Sequence, residues 1–308
     1  MSAAVPADPG GAIALLGPLS RDVYVGRDLV LPGGGALNMA WHWRGLGTAF
    51  RLLTRIGSDE PSVFLDFLGR HAIPFEAGSI VEDGVSAAID IVIRPDLQPW
   101  MAHFVEGVWA TYRSTAAEEA LIAATSHLHL VLVEGAIHEL ERLGAAAIIG
   151  FGSGPFVSAD FLGFRHYTLE RLAATMRLVD LGFIGWPGAP ADPELDGMRA
   201  IAHELGRLLI VTLGSQGVLV LDGRPGGEDR FVSVAAVPVE GTTVGCGDAF
   251  IAWFLEEWRR SGDVGRAVER GKAGGALATR WRRPLPDEAY GPAAVAALRA
   301  ADVAAQAG

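Results

Sequence analysis

Residues 241–258, which read GTTVGCGDAFIAWFLEEW, combine a turn of small residues with the start of a predicted helix. Gly245, Cys246 and Gly247 form the turn, and the apolar residues after them recur at helical spacing. The first N–H groups of a helix have no partner within it and lie at the positive end of its dipole, so this turn can hold an anion. Asp248 places a carboxylate beside that anion. Such a carboxylate can accept a proton from a hydroxyl while a phosphoryl group is transferred to it.

Asp248 also has a purely structural interpretation. An aspartate in the first turn of a helix complements the dipole and caps free N–H groups, and turns of small residues precede helices in many α/β proteins. This segment alone leaves both interpretations open, so other parts of the chain must decide between them.

A second glycine-rich turn, residues 32–35, precedes a predicted helix over residues 36–47. Asn38 lies at the start of that helix, where its amide offers a donor and an acceptor to a sugar diol or acts as an ordinary cap. Upstream, the short buried strand predicted at 13–16 ends at Gly17, and Asp22 follows five residues later. Both predicted helix starts, and the segment that follows the first predicted strand, therefore carry polar side chains.

Strands and helices alternate along most of the chain, which is typical of a parallel sheet covered by helices on both faces. The remaining predicted strands are 23–31 (one or two), 50–56, 75–81, 127–133, 146–150, 178–184, 208–213, 217–221 and 231–236. The remaining predicted helices are 61–71, 115–124, 137–144, 168–176, 193–205, 265–279 and 292–305. Residues 85–93 and 99–112 are strand-like with no helix between them, and we interpret them, together with residues 22–31, as a small separate sheet. Such a sheet would serve as a lid, since a kinase that admits water hydrolyses its nucleotide.

Composition excludes several classes of protein. Half of the 308 residues are hydrophobic, but no apolar run reaches the ~18 residues that span a bilayer, and residues 1–11 lack a basic signal-peptide start. We therefore expect a soluble, cytoplasmic protein. The formal charge of −11 argues against binding to nucleic acid or anionic membranes, so an anionic substrate must be held by local donors. The single cysteine excludes an intrachain disulfide and a zinc site built from cysteines, and neither a Walker A loop nor a G-x-G-x-x-G fingerprint is present.

Four motifs, taken together, resemble the signatures of the PfkB family of carbohydrate kinases. GGGALNMA at 33–40 is similar to the family's G-G-x-x-x-N entry, and TLGSQG at 212–217 to its T-x-G-x-x-G turn. TVGCGDAF at 243–250 is similar to its T-G-A-G-D-x-F signature, and Gly17 and Asp22 have its G-x-x-x-x-D spacing. The resemblance covers about residues 11–285, and four motifs in register are fairly specific.

The resemblance implies a ribokinase-like α/β fold, with a central, mostly parallel sheet flanked by helices and a small β-sheet lid. It implies one domain over residues 1–308, with lid strands at about 20–32 and 84–112 that often form a homodimer interface. The expected partners are ATP, Mg²⁺ and a small-molecule sugar.

The resemblance also implies roles for single residues. Asp248 would be the general base, with the backbone of Gly245, Cys246 and Gly247 as the anion hole. Sugar hydroxyls would be held by Asp22, Gly34 and Asn38. The nucleotide site would be lined by Thr212, Gly214 and Gly217, with residues 272–276, including Lys272 and Gly275, close to the adenine.

Two departures from the family pattern concern cations. The family usually has an aspartate at the position of Thr242, where it helps to bind a monovalent cation, so its absence argues against potassium activation. The family's N-x-x-E motif is also missing from residues 182–189, GFIGWPGA. No side chain is therefore assigned to a metal, and Mg²⁺ would be placed mainly by phosphates and water.

Residues 104–113, FVEGVWATYR, resemble two branches of the family. The EGV triplet resembles fructoselysine 6-kinase, while TYRSTAA at 111–117 resembles the 2-keto-3-deoxygluconate kinases. Arg113 would then pair with a carboxylate or phosphate of the substrate, the alternative being an ordinary surface arginine.

Three functional hypotheses follow. The first is an ATP-dependent kinase that phosphorylates a hydroxyl of a sugar or sugar derivative. The second is a sugar- or nucleotide-binding homologue that has lost catalysis, which the missing acidic residues suggest. The third is a nucleoside kinase of the same fold.

Overall fold

The computed structural model describes residues 11–292, except 28, 95–96, 151, 153, 165–166 and 236, together with 295–296. In this part of the chain a large sheet has the strand order β14-β13-β12-β11-β10-β9-β1-β4. Strands β4, β1, β9, β10, β11 and β12 are parallel to one another, while β13 is antiparallel to both of its neighbours, β12 and β14. The strands of the large sheet are β1 (Ile13–Leu16), β4 (Phe50–Leu53), β9 (His127–Val131), β10 (Phe156–Gly163), β11 (Leu181–Gly185), β12 (Leu208–Thr212), β13 (Val218–Asp222) and β14 (Arg230–Val232).

Helices cover both faces of this sheet because its parallel strands are apolar on both sides. In β1, Ile13 and Leu15 join one core cluster, whereas Ala14 and Leu16 join the other. The first cluster is shared with α1 (Gly35–Leu46), α2 (Ser62–Arg70), α7 (Cys246–Ser261) and α8 (Val264–Ala278). The second is shared with α3 (Ala116–Ala124), α4 (Glu134–Ala145), α5 (Leu169–Met176) and α6 (Glu194–Leu205).

A small sheet lies apart from the large one and has the order β3-β2-β7-β8. It consists of β2 (Ser20–Tyr24), β3 (Leu29–Gly33), β7 (Ala87–Ile93) and β8 (Pro99–Val105). A further pair, β5 (Ile56–Gly57) and β6 (Ile80–Val81), joins the loops beside it. Short 3₁₀ turns occur at Ala77–Ser79, Gly107–Thr111, Gly214–Gln216 and Asp287–Tyr290.

The predicted architecture, a mostly parallel sheet flanked by helices with a small separate sheet, is confirmed. One predicted strand is wrong: residues 146–149 form turns and bends, and the strand between α4 and α5 is β10 at Phe156–Gly163. The apolar run at 146–150 is too close to the end of α4 to cross the sheet, because Ala146 and Ala147 still bond to the last turn of that helix. The predicted helix at 292–305 lies almost entirely outside the described residues.

Within the described residues, every helix is too short or too polar to cross a membrane. The assignment of one domain with a lid stays a prediction.

Candidate active site

The N-termini of α1 and α7 converge on one cavity of about 600 Å³. The two helices pack together, and the Trp43 indole N–H of α1 donates to the Ala252 carbonyl of α7 at 2.9 Å. The cavity lies at the carboxyl ends of the parallel strands, which is where open α/β sheets bind their ligands. The cavity is lined by the ends of β9 to β12 and by residues at the two helix starts, namely Gly34, Gly35, Asn38, Val244, Gly245, Gly247 and Asp248.

Asp248 and Asn38 are in direct contact across this junction. The Asn38 side-chain Nδ2 donates to Asp248 Oδ2 at 2.7 Å, although the two residues are 210 positions apart. Asn38 is 3% exposed, and its Oδ1 is buried with no hydrogen-bond partner in the described part of the chain. Burial raises the pKa of Asp248 to about 6, and the bond from Asn38 partly offsets this. Asp248 therefore faces the cavity, and Asn38 does not act as a helix cap.

Asp22 is a second carboxyl group in the cavity. It is 4% exposed and accepts a hydrogen bond from the Ser20 hydroxyl at 2.8 Å. Burial raises its pKa to about 7, and the nearby charge of Asp248 adds to the shift. A Cβ on Gly33 would lie 2.1 Å from Asp22 Oδ2, and a Cβ on Gly35 would lie 3.1 Å from Asp248 Oδ1. Gly33 at the end of β3 and Gly35 at the start of α1 thus leave room for two carboxyl groups.

Asp160 is a third buried carboxyl group, and the sequence analysis missed it. It lies near the end of β10, is 5% exposed, and accepts a hydrogen bond from the Leu162 N–H at 2.8 Å. Burial and the charge of Asp248 raise its pKa to about 7. The sequence signal that could have identified Asp160 is its position inside the apolar run FVSADFL. An apolar run predicts burial, and an unpaired carboxyl group is rarely buried without a function.

The three carboxyl groups of Asp22, Asp160 and Asp248 line the same cavity. The charge of Asp248 contributes to the raised pKa of both Asp22 and Asp160. No ion pair to any of the three occurs among the described residues. Asp22 lies in β2 of the small sheet, whereas Asp160 lies in β10 of the large sheet, next to β11.

The turn before α7 has the geometry of an anion cradle. Gly245 has φ +78°, and a Cβ there would lie 2.7 Å from Pro284 Cα, so only glycine fits. A Cβ on Gly247 would point into open space, and the Gly247 N–H has no acceptor in the described part of the chain. The Cys246 N–H instead donates to the Thr243 carbonyl at 3.3 Å, and burial raises the pKa of the Cys246 thiol to about 12. Gly245 and Gly247 line the cavity, and Cys246 does not.

The other predicted site residues lie at varying distances from this centre. Gly34 and Thr212 line the cavity. Arg113, Lys272, Gly214, Gly217 and Gly275 are not among the lining residues. Arg113 follows the 3₁₀ turn at Gly107–Thr111 and is largely exposed, with Nη1 3.8 Å from Glu139 Oε2 of α4. Lys272 pairs with Glu269 one turn earlier in α8, at 2.8 Å.

The small sheet forms the roof of the cavity through Ile89 and Ile91 of β7 and Met101 and Phe104 of β8. The hairpin between these strands reaches the loop before the anion cradle. There the buried Thr242 hydroxyl donates to the Leu97 carbonyl at 3.2 Å, and the Thr243 hydroxyl contacts Gln98 Oε1 at 2.9 Å. The roof and the cradle are therefore in direct contact.

Known proteins are similar to this chain in sequence and in fold. Residues 185–283 match the model of the pfkB family carbohydrate kinases. The fructoselysine 6-kinase of Escherichia coli (strain K12) is 26% identical over 263 residues, which cover 85% of this chain and 94% of that protein. The cytidine kinase of Thermococcus kodakarensis is 25% identical over 285 residues, which cover 84% and 92%. The crystal structure of a ribokinase from Thermotoga maritima has a TM-score of 0.67 at 17% identity, over 95% of this chain and 99% of that one.

The resemblance to the PfkB carbohydrate kinases is therefore confirmed, and so is the ribokinase-like fold. The prediction of an enzyme of the carbohydrate kinase class is confirmed as well.

Proposed function

We propose that this chain transfers the γ-phosphoryl group of ATP to a hydroxyl of a sugar, with Asp248 as the general base. The observation that carries the proposal is the position of Asp248, which faces the cavity beside the open space at Gly247 and is held by Asn38 at 2.7 Å. A carboxylate that only capped a helix would turn back to its own backbone N–H groups, yet the start of α7 has no side-chain cap.

The acceptor sugar would be oriented by two groups that retain hydrogen-bond acceptor capacity. The buried Oδ1 of Asn38 would accept a hydrogen bond from one hydroxyl, and the carboxylate of Asp22 would accept another. A third hydroxyl would then donate to Asp248, which takes its proton as the oxygen attacks phosphorus. For the sugar we propose a ketose or ketose derivative with its 6-hydroxyl as acceptor, which the relative named fructoselysine 6-kinase supports.

The residues present fit ATP with Mg²⁺. Gly245 and Gly247 leave backbone N–H groups and open space at the positive end of α7, which suits a phosphate. Asp160 offers Mg²⁺ a buried carboxylate that lines the cavity and has no cationic partner in the described part of the chain. Bound Mg²⁺ would neutralise charge that develops on the phosphates. The small sheet would exclude water from this site, and its use as a dimer interface and a cytoplasmic location remain predictions.

The rate should depend on pH through these carboxyl groups. Asp248 must be ionised to accept a proton, and its pKa is raised to about 6, so kcat/KM for the acceptor should fall below about pH 6. Asp22, with a pKa raised to about 7, must also be ionised to accept a hydroxyl without competition from its own proton. We expect kcat/KM to be constant above about pH 7. Below that pH its logarithm should fall with a slope that approaches two protons per pH unit in the wild-type protein and one in Asp22→Asn. A single limb near the ordinary carboxyl pKa of 3.8 would contradict this assignment.

A screen for ADP release with ketoses, sugar acids, fructosamines and nucleosides would test the proposed function. Phosphorylation of a sugar with a preference over nucleosides supports it. The cytidine kinase relative favours a nucleoside kinase as the second candidate, and a preference for cytidine, adenosine or inosine over all sugars would establish that alternative. Stabilisation of the protein by a sugar or nucleotide without product would favour a binding protein that has lost catalysis.

A further inference from the structure

The turn between β7 and β8 of the small sheet bonds directly to the loop before α7. The Thr242 hydroxyl donates to the Leu97 carbonyl at 3.2 Å, and the Thr243 hydroxyl donates to Gln98 Oε1 at 2.9 Å. We call these four residues the roof–cradle contact. None of the four, all of which belong to the described part of the chain, lines the cavity. Any effect of this contact on a bound ligand is therefore indirect.

The Thr242 hydroxyl joins the turn to the backbone of the cradle. Thr242 is fully buried, and its hydroxyl oxygen also accepts a hydrogen bond from the Val244 N–H at 3.3 Å. Val244 lines the cavity and directly precedes Gly245, the first residue of the cradle. A hydroxyl donates one hydrogen bond and accepts others, so this single group holds the Leu97 carbonyl and the Val244 N–H together. Without the hydroxyl, both backbone groups would lose that partner.

Leu97 has a backbone conformation that its surroundings must hold in place. Its φ is +64°, in the left-handed region that residues other than glycine rarely adopt. The Leu97 N–H donates to the Arg94 carbonyl at 2.9 Å, and the Arg94 N–H donates to the Gln98 carbonyl at 3.0 Å. A strained conformation persists only where several contacts fix it, and the bond from Thr242 is one of them. A change of order in the cradle loop should therefore change the order of this turn.

The strands that flank the turn form part of the acceptor side of the cavity. Ile91 of β7 lies opposite Met101 of β8, and both residues line the cavity. Strand β7 also pairs with β2, in which Asp22, proposed to hold the sugar, lies opposite Ile89. The roof–cradle contact thus connects the strands around the proposed acceptor to the backbone around the proposed phosphate site.

We propose that Thr242 is a positioning residue that couples the two substrates through the roof–cradle contact. Binding of ATP at Gly245 and Gly247 orders the cradle loop, and the Thr242 hydroxyl passes this order to the turn at Leu97 and so to the roof. An acceptor that then binds under the roof has less order to impose, which gives positive cooperativity. By linkage, the acceptor strengthens the binding of ATP by the same factor. The inference rests on the proposed function, since it takes the cradle as the phosphate site and the roof as part of the acceptor site.

Hydrogen exchange with AMP-PNP and Mg²⁺ tests this coupling without requiring a known acceptor. In the wild-type protein the ligand should slow exchange of the N–H groups of residues 244–247. It should also slow exchange of the Leu97 N–H, about fivefold or more, although Leu97 lies outside the cavity. Thr242→Val keeps the shape of the side chain without its hydroxyl, so slowing at 244–247 should remain and slowing at Leu97 should disappear. Thr242→Ser keeps the hydroxyl and should retain both effects.

Two further variants complete the test. Thr243→Val removes the second hydrogen bond at a less buried position and should reduce the slowing at Leu97, which provides a readout even if Thr242→Val folds poorly. Thr175→Val is the matched control. Thr175 is also buried, at 3% exposed, and its hydroxyl also donates to a backbone carbonyl, that of Arg171, at 3.0 Å. The Thr175→Val variant should show the wild-type slowing at Leu97.

Each other result overturns one specific claim. Slower exchange at 244–247 in the wild-type protein with no change at Leu97 would remove the coupling and leave the phosphate site intact. Wild-type slowing at Leu97 in both Thr242→Val and Thr243→Val would show that the contact does not transmit order, which overturns the inference. Slowing at both places in a protein that phosphorylates none of the screened acceptors would support the coupling and overturn the proposed function.

Discussion

Asp248→Asn is expected to lower kcat by about 10²–10⁴-fold, the range that a positioned general base contributes. The asparagine keeps the size of the side chain and can still accept the hydrogen bond from Asn38, so the junction of α1 and α7 should remain intact. Binding of ATP should be unchanged or tighter, because a negative charge beside the anion cradle is removed. Single-turnover kinetics with saturating ATP and acceptor, together with ATP titration by calorimetry, would measure both quantities.

Asp263→Asn is the matched control for this substitution. Asp263 also stands at the start of a helix, but it is exposed and caps α8 by accepting from the Arg266 N–H at 3.0 Å. That is the structural role that Asp248 would have if it were not catalytic, and an asparagine fills it equally well. Asp263→Asn should therefore keep the wild-type kcat. If Asp248→Asn behaves in the same way, Asp248 is not the base.

The sequence predicted the two helix starts but not their convergence. Local patterns located the turns before α1 and α7, because small residues followed by helical periodicity are short-range signals. That Asn38 bonds to Asp248 depends on how α1 packs against α7 across the sheet, and only the family resemblance joined these residues beforehand. The space that Gly33 and Gly35 leave for Asp22 and Asp248 is likewise a tertiary property.

Asp160 and Arg113 illustrate why residue type alone misplaces a site. The strand that carries Asp160 was predicted about ten residues too early, at 146–150, so its aspartate was assigned to no strand end. Arg113 has the chemistry to bind an anion, but the turn before it directs its side chain towards Glu139, outside the cavity. Arg171, which does line the cavity, lies within α5, where nothing in its local sequence distinguishes it from a surface arginine.

Asp160→Asn is expected to stabilise the free protein while it weakens its use of Mg²⁺. Burial raises the pKa of Asp160 from its ordinary value of 3.8 to about 7. Between these pH values the unfolded chain loses the proton and the folded protein keeps it, so the free energy of unfolding falls as pH rises. A difference of about 3 pH units corresponds to at most about 4 kcal/mol, all of it lost above about pH 7. The asparagine avoids this loss and can still accept from the Leu162 N–H.

The gain in unfolding free energy should therefore be large at pH 8 and small at pH 4, which chemical denaturation at both pH values would measure. Asp222→Asn is the control, because Asp222 is equally buried but paired with Arg224 at 2.7 Å, and its loss should destabilise the protein.

The Mg²⁺ concentration for half-maximal rate should rise about tenfold or more in Asp160→Asn. A higher KM for the sugar with unchanged Mg²⁺ dependence would instead assign Asp160 to the acceptor. A loss of stability of Asp160→Asn at pH 8 would show that the buried carboxylate is compensated by its surroundings, because removing a compensated charge does not raise the free energy of unfolding.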